Sequence, residues 1–172
     1  MSVYGKIARS AVEHYVRTQE VLPLSPGLPG ELLRQQACYV SIFENPGRHL
    51  RGLFGSPLPQ QPVLAQEIIM NTINALTQNE ARVVARADVQ YMAYTVAVLD
   101  PLQRISDPEH LDPFSFGIYV RSDRGKAGVL LPQRAGIETP EDQIATVLRE
   151  AKIDTRLEEY VLYRFQVTFF DD

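Results

Sequence analysis

Eleven residues near the end of the chain, YVLYRFQVTFF at 160–170, alternate more regularly than any other stretch. Val161, Tyr163, Phe165, Val167 and Phe169 fall on one side of an extended backbone and Arg164, Gln166 and Thr168 on the other, the two-residue period of a β-strand. A strand this apolar is either central in a sheet or an edge that pairs with another chain, so the fold must contain a sheet. Two hairpins supply further strands. CYVSIF (38–43) and HLRGLFG (49–55) flank ENPGR, whose Asn, Pro and Gly provide the backbone angles of a turn. FGIYVRS (116–122) and AGVLLPQ (127–133) are joined in the same way by DRGK. Between the hairpins, YMAYTVAVLDP (91–101) alternates Tyr94, Val96 and Val98 against Ala93, Thr95 and Ala97, and Pro101 ends it.

Three segments carry the helical period instead. Ile7, Ala8, Ala11, Val12, Tyr15 and Val16 recur at three- and four-residue steps, so the first twenty residues read as an amphipathic helix. LPLSPGLPG (22–30), with three prolines and two glycines, is a loop. From Val63 to Leu76 a stripe of Leu64, Ile68, Ile69, Ile73 and Leu76 predicts a second helix, with Gln66, Asn71 and Asn74 on its other face. Thr139 is placed to cap a third helix that has Pro140 at its first position and Ile144, Val147, Leu148 and Ala151 as its stripe. Strands joined by hairpins, with helices at intervals, predict an α+β fold: a mainly antiparallel central sheet flanked by helices. Residues 1–172 are expected to form one domain, and the loops at 22–30 and 101–113 are where a smaller lobe could be set off.

Composition narrows the function classes. With 172 residues, 45% hydrophobic and 22% charged, the chain is long and apolar enough to bury a real core. A net charge of −4 offers no general attraction to phosphate backbones, which weighs against nucleic acid as a partner. The single cysteine, Cys38, cannot form an intramolecular disulfide, and the charged opening MSVYGKIARSAVEHYVRTQE is neither a signal peptide nor a membrane span. These features predict a cytoplasmic protein with no membrane contact. His14, His49 and His110 lack metal-ligand spacing and RGLFGS lacks the spacing of a phosphate-cradling loop, so no metal and no cofactor are expected. Cys38 begins an apolar strand, where a free thiol packs as a small hydrophobe more often than it acts as a nucleophile. Asp107, Glu109 and Asp112 read as a solvated loop rather than an acid–base pair.

Arg51 stands apart, because it places a permanent charge inside an apolar strand. Burial of a guanidinium without partners is costly, so it is either a structural tie to nearby carbonyls or a charge that reaches out from the strand. Gly52 beside it removes a side chain and lets another backbone or a ligand come close. Together they suit contact with an anion or a carbonyl group.

The combination of CYVSIF, LRGLFG, LAQEIIMNTINAL, VAVLDPLQRI and FGIYVRSDRGKAGVLLPQ resembles the AMMECR domain family, known in prokaryotes as AmmeMemoRadiSam system protein A. The family hallmark is Leu-Arg-Gly-Cys-Ile-Gly; Leu50, Arg51, Gly52 and Gly55 match it, whereas Leu53 stands at the cysteine position and Phe54 at the isoleucine position. Leucine offers no nucleophile, so chemistry that depends on that thiol is closed to this chain. The family's Asp-Pro-Arg-Phe appears as EARV with Arg82 at the arginine, and EAKI stands where the family tends to have Lys-Ala-Gly-Leu, which marks a divergent member. The resemblance implies an α+β fold with a central sheet and a smaller lobe. As partners it implies a Memo-like protein and a radical S-adenosylmethionine protein, and it brings no established reaction. The leading expectation is an accessory domain that binds a partner protein or a small anionic ligand at the Arg51 hairpin, with Gly52 permitting close approach, Ser41 adding a hydroxyl and Arg82 a second charge. The alternative is an enzyme acting on a small anionic substrate in a cleft near Arg51, where Arg51 and Arg82 orient the substrate and Asn71, Asn74 or Cys38 polarise it.

Overall fold

The computed structural model describes residues 2–78 and 84–171. In chain order its elements are α1 (Val3–Thr18), β1 (Cys38–Glu44), β2 (His49–Gly55), α2 (Leu64–Thr77), β3 (Met92–Leu99), β4 (Gln103–Ile105), β5 (Gly117–Ser122), β6 (Ala127–Leu130), α3 (Pro140–Glu150), β7 (Tyr160–Phe165) and β8 (Val167–Asp171). Short 3-10 turns lie at Gly30–Leu33, Val89–Tyr91 and Pro108–His110. The chain divides into two compact units, Met1–Val98 with Thr168–Asp172, and Leu99–Val167.

The expected α+β architecture is present, with the strands shared between two four-stranded sheets, ordered β2-β1-β3-β8 and β4-β7-β5-β6. The pairs β1–β2, β1–β3, β4–β7, β5–β6 and β5–β7 are antiparallel. In the first unit, α1 begins at Ser2, whose hydroxyl accepts the Gly5 N–H at 3.0 Å, and ends at Gln19 in the left-handed region. Ala8 and Val12 of α1, Leu64 and Ile68 of α2, and Val40, Ile42, Tyr94 and Val96 of the sheet are buried together as its core. In the second unit, Ile118, Val120 and Leu130 pack with Val147, and Ile144 and Leu148 of α3 complete the layer. The α3 start is as the sequence predicts: Thr139 accepts from the Asp142 N–H, with Pro140 at the first position.

Two local expectations are corrected. The alternating segment at 160–170 is not one strand: it breaks at Gln166, and its two halves join different sheets. Beyond the break the inward face changes, so Phe170 stacks on Tyr4 with ring centroids 3.9 Å apart, while Phe169 is left 43% exposed. The other correction is β4, three residues long, which begins two residues after the Pro101 that was expected to open a loop.

Helix α2 approaches the first sheet by way of a missing side chain. A Cβ at Gly52 would lie 2.0 Å from the Ala75 carbonyl oxygen, so only glycine lets β2 meet the α2 backbone. The second unit repeats the device at Gly128 in β6, where a Cβ would lie 2.9 Å from the Ala151 Cβ and 3.1 Å from the Val147 carbonyl. Gly52→Ala is therefore expected to force β2 and α2 apart and to cost about 3 kcal/mol or more of stability, read as a lowered denaturation midpoint in urea. An unchanged midpoint would mean that α2 does not sit this close to β2.

Candidate functional site: the Arg51 hairpin

The β1–β2 hairpin turns through residues 45–48, with Gly47 at φ 99° and Arg48 at φ 49°. Ile42 pairs with Gly52 but the next residue, Phe43, pairs with Leu50, so Arg51 is the extra residue of a β-bulge. That placement answers why a charged residue sits in an apolar strand. The bulge frees Arg51 from the ladder, and its Nη1 donates to Glu44 Oε1 at 2.6 Å. The Arg51 side chain is only 7% exposed and that of Glu44 32%, so the pair is largely shielded from water. The guanidinium is thus directed at a carboxylate of the same hairpin and not outward.

The other sequence-selected residues divide between core and surface. Gly52 is buried, and the group that approaches it is the Ala75 carbonyl of α2. Ser41 is half-buried on β1, opposite Leu53 on one side and Thr95 on the other. Asn74 is half-buried on α2, and its carbonyl accepts the Gln78 N–H at 2.9 Å. Arg82 lies outside the described residues.

Asn71 requires a correction, since the sequence places it on the face of α2 away from the apolar stripe. It is buried, and its Nδ2 donates to the Cys38 carbonyl at 3.0 Å and approaches Glu67 Oε1 at 3.4 Å. Glu67, which sequence reasoning did not select, is also buried, and its Oε2 accepts the backbone N–H groups of Gln60 and Gln61 at 2.8 and 2.7 Å. Asn71 and Glu67 therefore tie α2 to β1 and to the loop that enters the helix. The available signal was their i, i+4 spacing beside the apolar stripe.

Burial pushes the Cys38 thiol up to about 12, opposed by the Asn71 hydrogen bond and aided by the nearby Glu67 carboxylate. Its structural role fits a thiol kept protonated at neutral pH. Among the described residues no group of three or more His, Cys, Asp or Glu is placed to hold a metal ion. No helix among them is long and apolar enough to cross a membrane.

What the hairpin does present is apolar. In the order of the first sheet, β2 is an edge strand. Leu50, Leu53 and Phe54 on it are 56%, 38% and 40% exposed, and Leu58 just beyond it is 48% exposed. Leu53 thus offers hydrocarbon to solvent. The hairpin tip is held at the opposite edge of the sheet: Arg48 donates to Asp171 Oδ1 at 3.1 Å and to Thr95 Oγ1 at 3.2 Å, and its guanidinium lies 4.8 Å from the Phe43 ring centroid.

The model of the AMMECR1 family matches residues 5–170. A Thermotoga maritima protein is 32% identical over 95% of this chain and 94% of its own length. A Clostridium acetobutylicum protein is also 32% identical, over 96% of this chain but only 35% of its own length. The crystal structure of an uncharacterized protein from Pyrococcus horikoshii superposes with a TM-score of 0.84, covering 98% of this chain and 89% of that one at 22% identity. That likeness shows the fold.

A linkage prediction follows from Cys38. In the unfolded chain the thiol ionises above its ordinary 9.0, whereas the folded chain keeps it protonated to about 12, so above pH 9 the unfolded state binds fewer protons. Stability should fall as pH rises from about 9 toward 12, and less steeply in Cys38→Ala. Parallel pH profiles of the urea midpoint for the two proteins would show that Cys38 is not buried.

Proposed function

This chain belongs to the AMMECR1 family, and we propose that it works there as a non-catalytic accessory component that docks a partner protein along the β2 edge. The observation that carries the reading is the run of exposed leucines and phenylalanine on an edge strand at the family's hallmark position. Exposed apolar side chains rimmed by polar ones mark interaction surfaces, and an edge strand adds backbone groups to which a partner strand can pair. An enzyme acting on an anionic substrate would need Arg51 turned to that substrate, and its guanidinium is engaged by Glu44 instead. The partners to test are those the family resemblance implies, a Memo-like protein and a radical S-adenosylmethionine protein, met in the cytoplasm.

The test is co-purification with each of these two proteins from the same organism. Association with at least one is expected, together with roughly tenfold or greater weakening by Leu53→Asp at unchanged thermal stability. The reading fails if neither protein associates, if Leu53→Asp binds as the wild type does, or if the edge is covered by a second copy of this chain at the concentrations used.

A further inference from the structure

The second unit carries a different surface, which the partner reading does not use. In its sheet, Arg104 of β4 pairs with Tyr163 of β7, Tyr163 pairs with Tyr119 of β5, and Val161 of β7 pairs with Arg121 of β5. Directly paired residues share a face, so two arginines flank a floor made by Val161 and Tyr163. The Tyr119 and Tyr163 rings lie 5.7 Å apart and extend that floor across the sheet. Arg104, Arg121, Val161 and Tyr163 line one cleft of about 420 Å³, with Asp123 and Glu159 also in its wall. That volume is in the range of small-molecule sites.

Among the described residues, the two arginines of this cleft are not taken up by neighbouring side chains. Arg48, Arg51, Arg134 and Arg156 are each paired with a carboxylate, and Arg164 is bound to Gln103 and the His110 carbonyl. Arg104 and Arg121 are exposed and, among the described residues, have no hydrogen-bonding or ion-pair partner, although two carboxylates line the same cleft. With one strand between them, their backbones stand about 10–12 Å apart, a separation that two long side chains can close upon one anionic group. Phosphate suits such a pair, because each guanidinium can offer two parallel N–H donors to its oxygens. The aromatic and apolar floor suits a flat ring, and Asp123 and Glu159 can accept hydrogen bonds from hydroxyl or amino groups.

We propose that the cleft between Arg104 and Arg121 binds a nucleoside monophosphate, its phosphate bridged by the two arginines and its base laid on the Val161–Tyr163 floor. The same chemistry could come from a free nucleotide or from the end of an RNA strand, and the experiment separates them. The full chain would be titrated calorimetrically with AMP, GMP, CMP and UMP, with inorganic phosphate and adenosine, and with a single-stranded oligonucleotide. Saturable binding of at least one monophosphate is expected, at least tenfold tighter than inorganic phosphate or adenosine. Arg104→Ala and Arg121→Ala should each weaken it about tenfold while leaving the melting temperature unchanged, since both side chains are on the surface. Failure of all four monophosphates to bind, binding that neither substitution weakens, or equal affinity for inorganic phosphate would overturn the proposal. An oligonucleotide that binds a hundredfold tighter than any monophosphate would overturn the small-molecule assignment in favour of RNA.

Discussion

The first unit depends on a contact between two backbones. The Ala75 carbonyl of α2 occupies the space in which a side chain at residue 52 would begin. Beside Gly52 the β1–β2 ladder carries a bulge that leaves one residue unpaired. That residue is Arg51, and its charge is met by Glu44 from the neighbouring strand. The charged residue in an apolar strand is therefore a consequence of how β2 is built. The same few residues decide what remains outside: with Arg51 turned to Glu44 and Gly52 covered by α2, the surface of β2 is left to Leu50, Leu53 and Phe54.

Features set by local chemistry were legible in the sequence. The strand at 49–55 and the Thr139–Pro140 helix start appear at the residues where turn and cap signals place them. Features that depend on a distant partner were not. The Asn71 amide finds its acceptor on Cys38, thirty-three residues away, and a polar residue beside an apolar stripe gives no sign of such a partner. The break at Gln166 was hidden because the apolar alternation runs straight through it, while the adjacent Phe169 and Phe170 can satisfy either face. Arg51 and Gly52 stand out in the sequence. Their meaning required the register, since a bulge and a carbonyl from α2 have no mark in the sequence.

The two units solve one packing problem in the same way and then diverge in what they display. Each lays a helix on an antiparallel sheet and uses a glycine, Gly52 or Gly128, where the two come closest. The first sheet answers its arginines internally, with Arg48 on Asp171 and Arg51 on Glu44, and shows hydrocarbon at its β2 edge. The second leaves Arg104 and Arg121 open beside tyrosine.

The central claim is that Arg51 belongs to the fold, and a double-mutant cycle tests it most directly. Urea unfolding of the wild type, Arg51→Ala, Glu44→Ala and the double variant yields the coupling between the two side chains. The account predicts that Arg51→Ala is clearly destabilising and that the pair is coupled by roughly 1 kcal/mol or more. An Arg51→Ala protein as stable as the wild type, with coupling indistinguishable from zero, would contradict it and return Arg51 to the list of residues kept for a ligand.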